Sequence, residues 1–339
     1  MRRTICFLVG ILILGLGNGC TKAKEDIRFI GYYVSGSALA LTEDAAEGLT
    51  HLHLAFLYPE EDGSLIGTDL FRTHCLQAAR IQEENKELKI LASVGGWGYS
   101  EAFEEIAKNP QSRRRFIEEI LGWVEKYDLD GVDMDWEYPD GEQKGDFWQL
   151  ITELRNALNL LEESEGREYL LSLAVPAFSS FPGEILMGEA VGDIDYWNLM
   201  TYDYHLGREG ANAPLYDLQD ECVARTVRAY EKTGIQKEAL NLGIPLYGRG
   251  WDAQTGWIQA SYDEIQKEYA GFQYTYHPIT KTPYRLWGDN WISYDDEESV
   301  GAKARYARKK GLGGLMFWEL SDDREKVLLN AARQAWQED

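Results

Sequence analysis

The sequence predicts a single (β/α)8 barrel with a short α+β insertion between its seventh and eighth strands. Eight short runs rich in β-branched and aromatic residues recur along the chain. Between them lie amphipathic stretches with apolar residues every three or four positions, the alternation expected of parallel strands joined by crossover helices. The interval between the seventh and eighth runs is far longer than a crossover helix needs, and it is rich in Tyr, Trp, Gly and Pro.

Taken in order, the chain opens with Arg2 and Arg3, an apolar run from Ile5 to Leu16, and small residues before Cys20. These are the parts of a signal peptide, since the apolar run falls short of the ~20 residues a membrane-spanning helix requires and is broken by glycines. Cys20, directly after Gly17, Asn18 and Gly19, resembles the lipidated cysteine of a bacterial lipoprotein, although no Leu stands three places before it. The expected organisation is a signal over 1–19, a lipid anchor on Cys20, a tether over 20–26 and a globular body over 27–335. A membrane-anchored envelope protein follows, on the outer membrane where the host has two membranes.

Within the body the predicted strands are Phe29 to Tyr33, His51 to Leu57, Lys89 to Val94, Gly131 to Asp135, Leu170 to Val175, Tyr196 to Thr201, Leu240 to Pro245 and Gly314 to Trp318. Helical periodicity marks Asp69 to Asn85, Ser112 to Tyr127, Lys144 to Glu163 and Asp220 to Thr233. Residues 251–296 form the expected insertion. No internal repeat or long linker divides the body.

Composition narrows the function. The 339 residues include 57 acidic and 34 basic side chains, a formal charge of −23, which repels a phosphate backbone and argues against nucleic acid as a partner. The same charge argues for solubility only, and a monomer is expected. With Cys6 in the signal and Cys20 lipidated, only Cys75 and Cys222 remain in the body, and two isolated cysteines in a domain this long read as small apolar fillers. His51, His53, His74, His205 and His277 show no ligand spacing with cysteine or acid, so neither a metal nor another cofactor is expected. The 11 Trp and 20 Tyr are flat faces suited to packing and to stacking on sugar rings.

The chemistry is concentrated in Asp130-Gly131-Val132-Asp133-Met134-Asp135-Trp136-Glu137-Tyr138-Pro139. Residues two apart on a strand face the same way, so Asp133, Asp135 and Glu137 are expected to point together into the barrel mouth. Crowded carboxylates do not all ionise, which leaves a protonated acid near neutral pH. Glu137, the outermost, is the natural proton donor. A calcium loop would instead wrap its carboxylates around a glycine turn, whereas Val132, Met134 and Trp136 read as packing on the opposite face.

These residues make the chain resemble glycoside hydrolase family 18, whose signature is Asp-x-x-Asp-x-Asp-x-Glu on the fourth barrel strand. Ser93-Val94-Gly95-Gly96-Trp97, Met200-Thr201-Tyr202-Asp203, Asn241 to Arg249 and Gly313 to Trp318 resemble the family's third, sixth, seventh and eighth strand motifs, and the resemblance spans about Ile27 to Asp323. It implies a retaining hydrolase of β-1,4-linked N-acetylglucosamine, chitin or its oligosaccharides, in which the substrate's acetamido oxygen attacks the anomeric carbon and forms an oxazolinium intermediate. The resemblance gives Glu137 the proton transfer, Asp135 the acetamido nitrogen, Asp133 the protonation of Asp135, Tyr202 the acetamido oxygen and Asp203 the distorted sugar. It makes Trp318 the floor under the sugar before the cleaved bond and Trp97 the platform after it, with Tyr32, Phe56, Tyr138, Met200, Tyr247 and Arg249 lining the cleft.

Two departures stand out. Tyr204-His205-Leu206-Gly207-Arg208-Glu209 supplies no tryptophan where many relatives carry one, and the insertion, identified through Tyr262 to Ile265 and Pro283-Tyr284, is shorter than its counterpart. A shorter wall implies a shallower cleft and a preference for soluble oligosaccharides. The resemblance also admits an endo-β-N-acetylglucosaminidase of N-glycans, a peptidoglycan substrate, and a binding protein that does not cleave. The presence of Glu137 argues against the last.

Overall fold

Eight parallel strands close on themselves: β1 (Arg28–Val34), β2 (His51–Pro59), β3 (Lys89–Gly95), β4 (Gly131–Asp135), β5 (Leu170–Pro176), β6 (Tyr196–Met200), β7 (Leu240–Pro245) and β8 (Gly314–Trp318). Each pairs with the next, and β1 pairs with β8 from Arg28↔Gly314 to Gly31↔Phe317, so the sheet closes into the expected barrel. The computed structural model describes residues 27–37, 39–189, 191–205 and 209–338. The signal over 1–19, the lipidation at Cys20 and the tether over 20–26 lie outside the described residues. Among those described, no helix is long and apolar enough to cross a membrane.

Local sequence sets the helix ends. Thr68 accepts a hydrogen bond from the Phe71 amide at the start of helix Asp69–Glu84, and Asn109 followed by Pro110 opens Pro110–Tyr127. Lys144–Glu165 stops at Gly166, whose φ of 71° is a left-handed conformation that glycine adopts without a Cβ clash. The strand alternation then sorts side chains into two cores. Val132, Met134 and Trp136 belong to the large cluster between barrel and helices, with Trp136 stacked on Phe103 at 5.4 Å. A smaller cluster inside the barrel joins Ile30, Tyr32, Tyr196, Met200, Tyr202, Tyr247 and Met316. Burying each large apolar side chain contributes ~1.5–3 kcal/mol.

Two details differ from the sequence reading, at the sixth strand and at the insertion. Strand β6 ends at Met200, not Thr201, because the Thr201 amide turns back to the Leu199 carbonyl while its hydroxyl donates to Gly243 O at 2.7 Å. Strand β4 runs over Gly131–Asp135 as expected, so Glu137 stands just beyond its end. The insertion sheet begins at Tyr247 rather than Trp251: strands Tyr247–Asp252, Gly256–Ser261, Gln273–His277, Thr282–Trp287 and Asn290–Ser293 form one antiparallel sheet covered by helix Tyr262–Glu268. Tyr247 and Arg249 therefore ride on the insertion. Cys75 and Cys222 are both free and buried, and burial pushes the Cys75 thiol up to about 12.

Candidate active site

The site grows from the register of neighbouring strands. Asp133 on β4 lies opposite Ser93 on β3 and Ser172 on β5, which places all three in one layer of the barrel interior. Ser172 Oγ donates to Asp133 Oδ1 at 2.6 Å, while Ser93 Oγ and Tyr32 Oη donate to Oδ2, each at 2.8 Å. Asn198 Nδ2 adds a donor to Oδ1 at 3.3 Å, and His53 Nδ1 stands 3.5 Å from Oδ2. The network continues away from the mouth. Asn241 Nδ2 donates to Asn198 Oδ1 at 3.1 Å, and Arg28 Nε donates to Asn241 Oδ1 at 3.0 Å.

This wrapping sorts the charges. Burial pushes Asp133 upward, yet His53 beside it and the hydrogen bonds from Ser172 and Ser93 outweigh that and hold its carboxyl below the usual range. Asp135, 3% exposed, has no such shell: burial first, then the charges of Glu137 and Asp133, push it well above the usual range. Its Oδ1 is buried without a hydrogen-bond partner in the protein. Burial likewise raises Glu137, with hydrogen bonding from Tyr138 pulling down and the Asp203 charge pushing up. The result is an Asp133 biased to the ionised form beneath two carboxyls whose burial biases them toward keeping their protons. Ser100 Oγ donates to the Glu137 carbonyl and ties the loop that carries it to the helix after β3.

Beyond the strand end, Tyr202 is nearly buried, and burial followed by the charges around it keeps its phenol protonated, so it remains a donor. Asp203 adopts a φ of 60° and its carboxylate is gripped by three groups of the insertion strand Tyr247–Asp252. Tyr247 Oη donates to Oδ1 at 2.7 Å, Arg249 Nε to the same oxygen at 2.5 Å, and Arg249 Nη2 to Oδ2 at 2.8 Å. Gly95 lets the walls come this close: at φ 109°, a Cβ there would lie 2.4 Å from the Asp135 carbonyl and 2.5 Å from the Phe103 ring.

The aromatic assignments divide. Trp318 is half-buried at the end of β8, with ring centroids 5.5 Å from Tyr32 and 5.7 Å from Phe56. Trp97 is 75% exposed just past β3, where an indole face is open to a ligand. Tyr138 packs edge-on to Phe178 at 5.4 Å. Tyr32, Met200 and Tyr247 are almost wholly buried, so Tyr32 and Tyr247 serve chiefly through their hydroxyls on Asp133 and Asp203. The sequence reading did not single out Ser172, His53, Asn198 or Asn241. Their signal was present, since each is a polar residue at an inward position of an otherwise apolar strand. Among the described residues, no cluster of histidine, cysteine or acid suits a metal ion.

Comparison with known proteins fits this geometry. A model described as glycosyl hydrolases family 18 matches residues 28–323. Chitinase A1 of Niallia circulans is 34% identical over 302 residues, an alignment covering 75% of this chain and 43% of that protein, so the chain spans less than half of that relative's length. The structure of a family 18 N-acetylglucosaminidase from Paenibacillus barengoltzii superposes with a TM-score of 0.84 at 31% identity, covering 91% of this chain and 99% of the other. A family 18 chitinase from Cycas revoluta, solved in complex with (GlcNAc)3, gives a TM-score of 0.83 at 26% identity with coverages of 91% and 99%.

Proposed function

The chain belongs to glycosyl hydrolase family 18 and has the build of a chitinase-type glycosidase, and on that premise we propose that it hydrolyses β-1,4-linked N-acetylglucosamine oligosaccharides by a retaining, substrate-assisted route. The observation that carries the reading is the ordering of charge at the mouth: one carboxylate held ionised by its hydrogen-bond shell below two carboxyls whose burial favours the protonated form. An acid that must deliver a proton near neutral pH needs this environment.

In the proposed reaction the Glu137 carboxyl gives its proton to the glycosidic oxygen as the bond from that oxygen to the anomeric carbon breaks, its electron pair leaving with the oxygen. The acetamido oxygen of the same sugar attacks the anomeric carbon and closes an oxazolinium ring. The carbonyl oxygen of Asp135 accepts the acetamido N–H and so orients the acetamido group toward the anomeric carbon. Tyr202, kept protonated, donates to the acetamido oxygen and aims it. Water then adds to the anomeric carbon from the side the leaving group vacated as the bond from that carbon to the acetamido oxygen breaks, its electron pair restoring the acetamido group, and the water gives a proton to the Glu137 carboxylate. Two inversions retain the configuration. Asp203, fixed by Arg249 and Tyr247, contributes a rigid acceptor for sugar hydroxyls, and the Trp318 indole offers a flat floor.

A wall built from one small sheet suits soluble oligosaccharides better than crystalline chitin, and acylation of Cys20 would place the enzyme at the cell envelope. The test is incubation with chitotetraose and, separately, with a high-mannose glycoprotein, read by mass and by proton NMR of the first product. Shorter N-acetylglucosamine oligomers released as the β-anomer are expected. Release of N-glycans with chitotetraose intact, or α-anomeric product, contradicts the reading.

A further inference from the structure

Beneath the acid ladder the barrel interior buries an imidazole. His53 on β2 pairs in register with Tyr32 on β1 and Leu91 on β3, and Ala55, two residues on, pairs with Ser93 in the layer of Asp133. The ring is 0% exposed. Its Nε2 lies 3.0 Å from Tyr196 Oη on β6, while its Nδ1 lies 3.5 Å from Asp133 Oδ2 and has no hydrogen-bond partner in the protein. Tyr32 packs edge-on to the ring, with centroids 4.7 Å apart at 64°, and the hydroxyl of the same tyrosine donates to Asp133. The imidazole is thus fixed in plane and aimed at the carboxylate.

The two ring nitrogens are distinguished by what they face. A bare lone pair on Nδ1 would point at a carboxylate oxygen deep in the barrel, and two acceptors so placed repel each other. Nδ1 therefore carries a proton. Burial, and then the charge of Asp133, keep the Tyr196 phenol protonated, so it has a hydrogen to give to Nε2, and that contact fixes the tautomer. Asp133 already has its four hydrogen bonds without His53: Ser172 and Asn198 reach Oδ1, and Ser93 and Tyr32 reach Oδ2. What the imidazole adds is a fifth donor dipole aimed at the same charge. The other titratable and charged groups around the pair are Asp135 from β4, Arg28 from β1, which lies 5.1 Å over the Tyr196 ring, and His51 from β2, edge-on to that ring at 5.3 Å with Lys89 of β3 acting on it. Arg28 and His51 reach the imidazole through Tyr196, which makes this phenol the second member of the device.

We propose that His53 is a positioning residue of the hydrolysis: clamped at Nε2 by Tyr196, its imidazole presents the Nδ1 proton to Asp133 and biases that carboxylate to its anion beneath Asp135 and Glu137. This deepens, and rests on, the reading of the site as an N-acetylglucosamine hydrolase. The experiment measures kcat and KM on chitotetraose from pH 3 to 9 for the native protein, His53→Phe, His53→Gln, Tyr196→Phe and the double variant His53→Phe/Tyr196→Phe, each beside a melting curve. In His53→Phe the acidic limb of kcat/KM is expected to move up by about one pH unit, the lower end of what a facing positive group does to a carboxyl. KM should stay within about threefold, since His53 touches no group assigned to the substrate. His53→Gln, whose amide is still a donor, should return the limb toward its native position. Tyr196→Phe should move the limb the same way, and the double variant no further than His53→Phe, because Tyr196 acts through the imidazole. A limb that stays put in His53→Phe, or two shifts that add, overturns the proposal. NMR of the native protein with 15N-labelled histidines reads the tautomer without substrate, the resonance missing from His53→Gln identifying the ring. A proton on Nδ1 is expected from about pH 5 to 8, and a bare Nδ1 with the proton on Nε2 overturns the proposal. Should neither phenylalanine variant fold, this measurement decides. Should the native protein leave chitotetraose intact, the functional reading fails on its own and the tautomer still decides whether the clamp exists.

Discussion

Replacing Ser172 by alanine removes the shortest hydrogen bond to Asp133, at 2.6 Å, without touching any group assigned to the substrate. A hydrogen bond to a charged group contributes about 1.5–3 kcal/mol. The lower end applies here, since Asn198 still donates to the same oxygen at 3.3 Å. About 1.4 kcal/mol is a tenfold change in a protonation equilibrium, so Asp133 in the variant should bind its proton about tenfold more readily. The sign follows from the direction of the native shift: a carboxyl held below its ordinary range is ionised until the pH falls through that lowered value, and weakening its shell brings protonation to higher pH. The acidic limb of kcat/KM against pH should therefore move upward, while the part of the stability that Asp133 contributes, which starts to be lost at the same unfolded-state pKa in both proteins, should be smaller in the variant and exhausted at higher pH. A chromogenic chitobioside assayed from pH 3 to 9, beside melting curves over the same range, measures both. A uniform drop in rate with the limb unmoved would refute the idea that this shell sets the charge of Asp133.

Other consequences are open to test. Arg249→Lys keeps a cation but loses the fork that grips both oxygens of Asp203, so kcat/KM should fall by about tenfold or more with little change in Tm, checked by steady-state kinetics beside melting. Away from the site, Lys303 and Asp295 are 0% and 1% exposed in their side chains and bond at 2.5 Å, with Ser299 also donating to Asp295 at 2.6 Å. Lys303→Met leaves that carboxylate buried and unpaired, which should cost about 3–5 kcal/mol in chemical denaturation, and pairing it with Asp295→Leu should restore most of the loss.

Much of the barrel could be read from the sequence because each strand is a local pattern. The alternation of Asp133, Asp135 and Glu137 with Val132, Met134 and Trp136 separates the barrel interior from the helix-facing side within one short segment. Strand ends were less legible, since nothing in Met200-Thr201-Tyr202 reveals that Thr201 will bond across to Gly243 O. The shell of Asp133 was least legible. Tyr32, His53, Ser93, Ser172 and Asn198 come from five strands, and only barrel closure makes them neighbours. The cluster of indoles on the insertion sheet is similar: Trp251, Trp257 and Trp291 scatter through a segment whose register, not its composition, brings them together.

The most direct measurement is of Glu137→Gln, which keeps the side chain's shape and removes the transferable proton. Single-turnover cleavage of chitotetraose should fall by at least about a thousandfold, while calorimetric binding of the same oligosaccharide stays within a few-fold of the native protein. Cleavage at the native rate would remove the proton from the mechanism and with it the central role of the acid ladder on β4.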